Sequence, residues 1–151
     1  MTYRTVFEIS WQTFPWPAAI VGVAGLAVGA IVLRSKRAER SGAWKLAGDL
    51  LLGFALLWIG WNVFDHYRMT QALAAHETQI AEGTIQDYEF RLHDGHGFES
   101  FTVNGVRFHY SDFIPTGGYN RPASNGGVIR EGLQVRIHHM GNTILRLEVA
   151  P

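Results

Sequence analysis

The sequence predicts a membrane helical hairpin followed by an all-β domain, a five-stranded small barrel of the OB or SH3-like type. Three observations support this fold class. Residues 14–33 and residues 50–64 contain no charged side chain, and the chain after residue 83 alternates polar and apolar side chains. A chain of 151 residues has room for about one ordinary domain.

The balance of charges and the absence of cysteine limit the kinds of partner and chemistry that the sequence predicts. Thirteen basic residues balance thirteen acidic residues, and residues 83–151 are also close to neutral. Because no global field attracts a polyanion, nucleic acid is not expected as a partner. The chain has no cysteine, which excludes a disulfide framework and thiol chemistry.

The first predicted membrane helix covers residues 14–33. A helix of this length, at about 1.5 Å per residue, matches a hydrocarbon core of roughly 30 Å. Trp16 favours the interface, and Pro15 and Pro17 suit a first helical turn. A cleavable signal peptide is the alternative, but only Arg4 precedes the apolar stretch and a second such stretch follows.

The second predicted membrane helix covers residues 44–64. Asp49 lies near its first turn, where a carboxylate complements the helix N-terminus. Trp58 and Trp61 mark the other boundary. A soluble helical hairpin is the alternative, but its helices would not be apolar around the whole circumference.

The loop between these helices, residues 34–43, is basic. The loop and its flank contain five basic residues: Arg34, Lys36, Arg37, Arg40 and Lys45. The outer flanks offer only Arg4 and Arg68. Since basic residues in short loops stay in the cytoplasm, we expect a two-pass bacterial inner-membrane protein. Both termini, including the N-terminal segment 1–13, would lie outside the cytoplasm, with a periplasmic domain.

Small residues recur along the first predicted helix. Gly25 and Gly29 form a G-x-x-x-G pair, and Gly22 precedes them. Such spacing lets two helices approach closely. Two interpretations stay open, namely packing within the chain against Gly53 and Gly60, or self-association into a homo-oligomer.

The spacing of apolar residues along the sequence changes after the predicted membrane helices. Residues 65–82 are rich in helix formers and predict a helical connector. From residue 83 the period is two, and residues 83–151 form the predicted β domain, beginning with a strand over residues 84–92. Five short strands have to protect their edges, which a small closed barrel does economically.

The strongest turn signal is Asn104-Gly105 between two alternating runs, which predicts a two-residue hairpin. This hairpin would set two pairs on one face, Val103 with Val106 and Phe101 with Phe108.

A second hairpin is predicted from strands 133–139 and 143–149. A three-residue loop over residues 140–142 would set Ile137 against Leu145. A two-residue turn would instead set Ile137 against Arg146, so the three-residue loop is preferred.

The connection 113–132 is long and glycine-rich, and loops of this length tend to be functional or disordered. Four of its residues are candidates for a recognition surface: Tyr119, Asn120, Arg121 and Asn125. The alternative is that the loop wraps the barrel mouth with Tyr119 packed as a plug.

Catalytic and metal chemistry find little support. Ser111, Asp112 and His109 lack the framing motif of a hydrolase, so an enzyme is not predicted. The weak candidates for metal ligands are His93, His96 and His109. A metal site needs three or four converging ligands, and the spacing matches no strong motif. No cofactor is therefore expected, and a pH-sensitive surface is the alternative role for the histidines.

Four runs of the β domain carry a resemblance: "ESFTVNGVRFHYSD", "GGYN", "NGGVIREGLQVRI" and "ILRLEV". They resemble uncharacterised bacterial proteins that place a small β domain beside a membrane span. The two-helix anchor with a small barrel is also similar in architecture to short NfeD-like proteins. That likeness implies a scaffold working with membrane-raft proteins or membrane proteases.

The sequence thus predicts a non-enzymatic binding or scaffold protein, anchored in the lipid bilayer. Its partner would be another membrane or periplasmic protein, or a glycan, engaged through the connection 113–132. An accessory subunit of a larger membrane complex and a metal- or pH-sensing module are the alternatives.

Overall fold

A computed structural model describes residues 2–93 and 96–151, and the side chains of residues 91–93 and 96 lie outside this description. The chain divides into two compact units. The helical unit covers Pro15–Tyr67, and the β unit combines Met1–Phe14 with Arg68–Pro151. The β unit is therefore built from two separate stretches of sequence.

Two long helices dominate the region between those stretches. The described helices are α1 (Trp16–Arg34), the short α2 (Lys36–Arg40) and α3 (Gly42–Ala74). α1 and α3 are each long and apolar enough to cross a membrane, and only 17% and 11% of their most apolar windows is buried. A core helix of a soluble protein would be mostly buried, so both helices have the length, composition and exposure that a membrane helix needs.

Glycines bring α1 and α3 together within the helical unit. A Cβ atom added at Gly29 would lie 2.8 Å from Leu52 Cδ2, and one at Gly25 would lie 3.1 Å from Ala55 Cβ. The indole Nε1 of Trp58 donates a hydrogen bond of 2.8 Å to the carbonyl of Ala18. The small residues of α1 therefore pack within the chain.

The partners of these glycines differ from the predicted ones. Nothing lies within 4 Å of a Cβ added at Gly53 or Gly60. The contacting residues of α3 recur at helical spacing: Gly48, Leu52, Ala55 and Ile59. Gly53 and Gly60 each follow a contacting residue by one position, which turns them about 100° away from that stripe.

The β unit consists of two antiparallel sheets. One has the order β1-β7-β6-β2 and the other the order β3-β4-β5. The strands are β1 (Arg4–Glu8), β2 (Gln79–Thr84), β3 (Gln86–His93), β4 (His96–Val103), β5 (Val106–Tyr110), β6 (Gln134–Met140) and β7 (Thr143–Val149). Both sheets bury apolar side chains in one core, which includes Phe101 and Phe108 from the second sheet and Val135, Ile137 and Leu147 from the first.

The predicted closed five-stranded barrel is wrong. Within the described residues neither sheet closes on itself, and β1 and β2 are the edges of the four-stranded sheet. These two strands were missed by the sequence prediction. They supply enough partners for a second sheet, so the domain covers its core with two sheets instead of one closed sheet.

The predicted connector over residues 65–82 is helical only in its first half. α3 ends at Ala74, and His76 adopts a left-handed conformation with φ of 57°. β2 then begins at Gln79. Its single buried apolar side chain is Ala81, which is 1% exposed. A lone buried alanine gives almost no period-two pattern in the sequence. For this reason the sequence of β2 was interpreted as a continuation of the preceding helix.

The Asn104-Gly105 hairpin is confirmed. Both residues have positive φ, 48° and 78°, as a type I′ turn requires. Val103 pairs with Val106 and Phe101 with Phe108, as predicted. The two phenylalanine rings stack with centroids 5.3 Å apart.

The turn of the last hairpin, between β6 and β7, differs from the predicted one. Met140 pairs with Thr143, so the turn has two residues rather than three. An irregularity in the ladder after His138 then sets Ile137 opposite Leu147, not Leu145. The bulge directs Leu145 into a second apolar cluster, with Ile9, Met69 and Leu73. The prediction failed because it assumed uninterrupted pairing.

Candidate binding groove

The long connection 113–132 is fixed to the β unit by Tyr119. This side chain is only 7% exposed, and its ring lies edge-on to Phe7 and Tyr110, with centroids 5.4 Å away in both cases. Its hydroxyl accepts a hydrogen bond of 3.1 Å from the amide of Val128. Tyr119 therefore packs in the core, as the alternative interpretation of this loop expected, and does not offer its ring at the surface.

Glu99 holds the same loop at a second point. Its carboxylate is 2% exposed, and it accepts hydrogen bonds from the Tyr110 hydroxyl and, at 2.8 Å, from the amide of Ala123. A buried carboxylate is tolerated only where donors surround it. The arrangement ties the middle of the loop to β4 and β5.

The tyrosines around Glu99 stay neutral to high pH. Burial, followed by the interaction with the Glu99 carboxylate, raises the pKa of Tyr88 to about 12. The same two causes, burial first, raise the pKa of Tyr110. Burial also raises the pKa of Tyr119. All three phenols are therefore donors or packing groups, not bases, at neutral pH.

These shifts predict a loss of stability in alkali. Because the folded pKa exceeds the unfolded value of 10.0, the contribution of Tyr88 is complete below pH 10 and is lost between pH 10 and about 12. Urea unfolding from pH 8 to 12 should show this decline, with a smaller slope in Tyr88→Phe. Phenolate absorbance rising in one step near pH 10 would contradict it.

The other predicted recognition residues separate. The Asn125 side chain donates a hydrogen bond of 2.6 Å to Asp112 and so ties the loop to the residue that precedes it. Asn120 is half-buried and Arg121 is exposed. These two, with Tyr119, line a surface pocket of about 260 Å³.

A larger pocket of about 470 Å³ adjoins the first, and Val6 lines both. The remaining lining of the larger pocket is mostly aliphatic, with two arginines: Arg4, Ala123, Gly127, Val128, Ile129, Arg130, Leu133 and Val149. We call the two pockets together the β1–loop groove, because β1 forms one wall and the 113–132 loop with Leu133 forms most of the other.

A bulge in β1 shapes this groove. The pairing of β1 with β7 is regular at Thr5 and resumes at Phe7, so Val6 is the extra residue. Val6 and Phe7 both pack against the core, although neighbours on a regular strand point to opposite faces. Bulges of this kind re-aim side chains, often beside binding sites.

Four of the eight arginines of the β unit interact with other groups. Three form ion pairs: Arg107 with Glu89 at 3.0 Å, Arg136 with Glu82 at 2.8 Å, and Arg146 with Glu8 at 2.9 Å. Arg68 also has an interaction, and the side chain of Arg91 lies outside the described part of the chain.

The other three are Arg4, Arg121 and Arg130. None of them has an ion-pair partner among the side chains that the structure describes, and all three line the β1–loop groove. No acidic residue lines either pocket. The groove therefore holds three guanidinium groups without a described ion-pair partner, two of them in the larger, mainly aliphatic pocket. This arrangement suits an anionic ligand.

The candidate metal ligands and the hydrolase-like residues show no catalytic arrangement among the described side chains. Among the described side chains no group of three His, Asp or Glu residues could hold a metal ion, and the side chains of His93 and His96 fall outside that set. The backbone amide and carbonyl of His109 are bonded to the Asn142 side chain. The Ser111 hydroxyl donates to the Gly97 carbonyl at 2.7 Å, so it acts as a structural donor.

The sequence indicated one wall of the groove and missed the other. The length of the 113–132 connection was the signal for its wall, and Arg130 lies within that range. Arg4 and Val6 belong to a five-residue strand whose only signal is the β-favouring composition of Thr5, Val6 and Phe7.

Comparisons with known proteins leave this geometry as the basis for a functional argument. No protein-family model matches the chain, and no curated protein or solved structure matches it.

Proposed function

We propose that the protein is a membrane-anchored binding protein, not an enzyme, that holds a partner protein or glycan in the β1–loop groove. The observation that carries this proposal is that Arg4, Arg121 and Arg130 all line the β1–loop groove, whose larger pocket has an aliphatic floor. In a membrane-anchored protein, unpaired guanidinium groups beside a preformed pocket favour binding of an anionic partner.

Membrane insertion of α1 and α3 is part of the proposal. Their length, apolar composition and exposed circumference support it. The pairing of β1 with β7 restricts how many times an inserted chain can cross. Because α1 and α3 separate these strands in sequence, the strands can pair only if the chain crosses the bilayer an even number of times. Two crossings meet this requirement.

The orientation follows from charge. The five basic residues at 34–45 are exposed in and beside the connection of α1 to α3. Basic residues in such a short connection favour the cytoplasmic side. We therefore place the β unit, and with it the groove, on the extracytoplasmic side of a bacterial inner membrane.

One set of variants tests both parts of the proposal. The cysteine-free chain allows single cysteines at Val128 in the groove, Ile80 on the exposed face of β2, and Gly42 in the basic connection. Intact cells are treated with an impermeant thiol reagent that carries a photo-crosslinker. We expect Val128→Cys and Ile80→Cys to react and Gly42→Cys to remain unmodified. The reverse pattern would contradict the orientation.

Illumination then tests binding. Val128→Cys should give a discrete adduct that Ile80→Cys does not give. The adduct should disappear when Arg4, Arg121 and Arg130 are all changed to glutamine. An adduct that survives the three arginine changes would contradict a role for the groove and favour an accessory subunit.

A further inference from the structure

We infer that the ligand of the β1–loop groove is an acidic peptide segment of the partner, carrying an aliphatic side chain between carboxylates. This inference rests on the proposed binding function and names its ligand class. Four features of the groove support a peptide ligand: its charge relative to the β unit, the donor type, the chemistry of the floor, and the rigidity of the loop wall.

The charge of the groove opposes that of the unit that carries it. The β unit contains eight arginines, no lysine and ten acidic residues, so it is formally negative. The groove lining contains three arginines and no acidic residue. Long-range attraction therefore cannot recruit a polyanion to the unit as a whole, and the attraction is local to this groove.

The donors are guanidinium groups. Arginine presents a planar fork of N–H groups that matches a carboxylate with two parallel hydrogen bonds. Arg4 and Arg130 both line the larger pocket, and Arg121 lines the smaller one. Two positions for carboxylates are thus separated by the shared wall at Val6, which a linear chain can bridge.

The floor distinguishes a peptide from a sugar or a nucleotide. The larger pocket is lined by the aliphatic side chains of Val6, Val128, Leu133 and Val149 and has no aromatic side chain. This pocket has no ring on which a base could stack, and apart from Arg4 and Arg130 it has no polar side chain for the hydroxyl groups of a sugar. The aromatic and uncharged polar residues of the groove line the smaller pocket: Phe7, Thr13, Thr116, Tyr119 and Asn120. An aliphatic side chain of a peptide gains free energy there by losing its contact with water.

The loop wall is fixed before binding. Three hydrogen bonds hold the loop. Glu99 accepts one from the amide of Ala123, and the Tyr119 hydroxyl accepts one from the amide of Val128. The amide of Gly127 donates one of 2.9 Å to the carbonyl of Pro122. A groove that is already ordered loses little conformational entropy on binding. An extended segment of a partner is therefore sufficient as ligand, without folding of the groove around it.

The test uses the full chain in detergent micelles and a phage library of random dodecapeptides. The library is selected on the wild-type protein and depleted on the variant with Arg4, Arg121 and Arg130 all changed to glutamine. We expect enriched peptides to combine Asp or Glu with Leu, Ile or Val. Enrichment of peptides without acidic residues would overturn the inference.

An enriched peptide is then titrated by fluorescence anisotropy. Each of Arg4→Gln, Arg121→Gln and Arg130→Gln should weaken binding about tenfold, the effect of losing one charged hydrogen bond of about 1.5 kcal/mol. Arg107→Gln is the matched control, because Arg107 is exposed in the other sheet and paired with Glu89. Equal weakening by Arg107→Gln would overturn the inference.

A competing probe separates this inference from the proposed function. Polygalacturonate, an anionic polysaccharide, should not displace the peptide. If no peptide is enriched and polygalacturonate binds in a manner that requires the three arginines, the peptide is excluded while the binding groove stands. If neither probe binds, the inference fails, and the crosslinking at Val128 decides the proposed function independently.

Discussion

Replacement of Glu99 by alanine is expected to release the 113–132 loop and lower the free energy of unfolding of the β unit by about 3 kcal/mol. The change leaves the Tyr110 hydroxyl and the Ala123 amide without their acceptor. A buried donor left unsatisfied costs about 1–3 kcal/mol. Urea unfolding of the full chain in micelles, followed by near-ultraviolet circular dichroism of the tyrosines, would measure the loss.

Two matched variants give this prediction its controls. Glu99→Gln retains an acceptor oxygen and should cost less than the alanine variant. Glu89→Ala removes an exposed carboxylate that is paired with Arg107, and exposed ion pairs contribute below about 1 kcal/mol. Equal losses for Glu89→Ala and Glu99→Ala would show that Glu99 does not clamp the loop. Since the loop forms one wall of the β1–loop groove, Glu99→Ala should also weaken binding of the selected peptide.

Replacement of Gly29 by leucine is expected to separate α1 from α3. Even a Cβ atom at this position would lie 2.8 Å from Leu52 Cδ2 and 3.3 Å from the Gly48 carbonyl oxygen. Overpacking of this kind costs about 1–3 kcal/mol, and a helix backbone has little freedom to yield. A cysteine pair at Gly25 and Ala55, whose Cβ atoms would be about 3 Å apart, reports the separation through a lower yield of disulfide.

Gly53→Leu is the control on the same pair of helices. Nothing lies within 4 Å of a Cβ at Gly53, so the disulfide yield should match that of the parent cysteine pair. If both leucine variants lowered the yield equally, the loss would reflect helix insertion or folding in general. The specific contact of Gly29 with α3 would then be excluded as its cause.

Local signals in the sequence predicted local structure well. The Asn104-Gly105 hairpin needs only the turn and the alternation on each side of it, and all of this information lies within ten or so residues. The bulge that leaves Leu145 between two pairs in β7 could not be predicted in the same way. It depends on the apolar cluster with Ile9, Met69 and Leu73, which comes from distant parts of the chain.

The candidate site shows the same division. The 113–132 loop was recognisable from its length and its glycines, and Arg121 was singled out within it. The partner wall was not recognisable, because β1 acquires its role only by pairing with β7, where Arg4 lies opposite Val149. Tyr119 illustrates a further limit, since an aromatic residue in a polar loop can serve equally as a surface contact or as a core anchor.

The pairing of the first strand with the last also sets an order of events during synthesis. β1 leaves the ribosome long before β7, and at about 5–20 residues per second the delay is roughly 7 to 28 seconds. During that time both long helices emerge, while the β1 segment waits without its partner and exposes Val6 and Phe7. A fragment that starts at residue 83 would lack β1 and most of β2, leaving the edges of β7 and β6 open to other chains. The helical hairpin is thus an insertion within the β unit, and the groove is completed only when the last strand arrives.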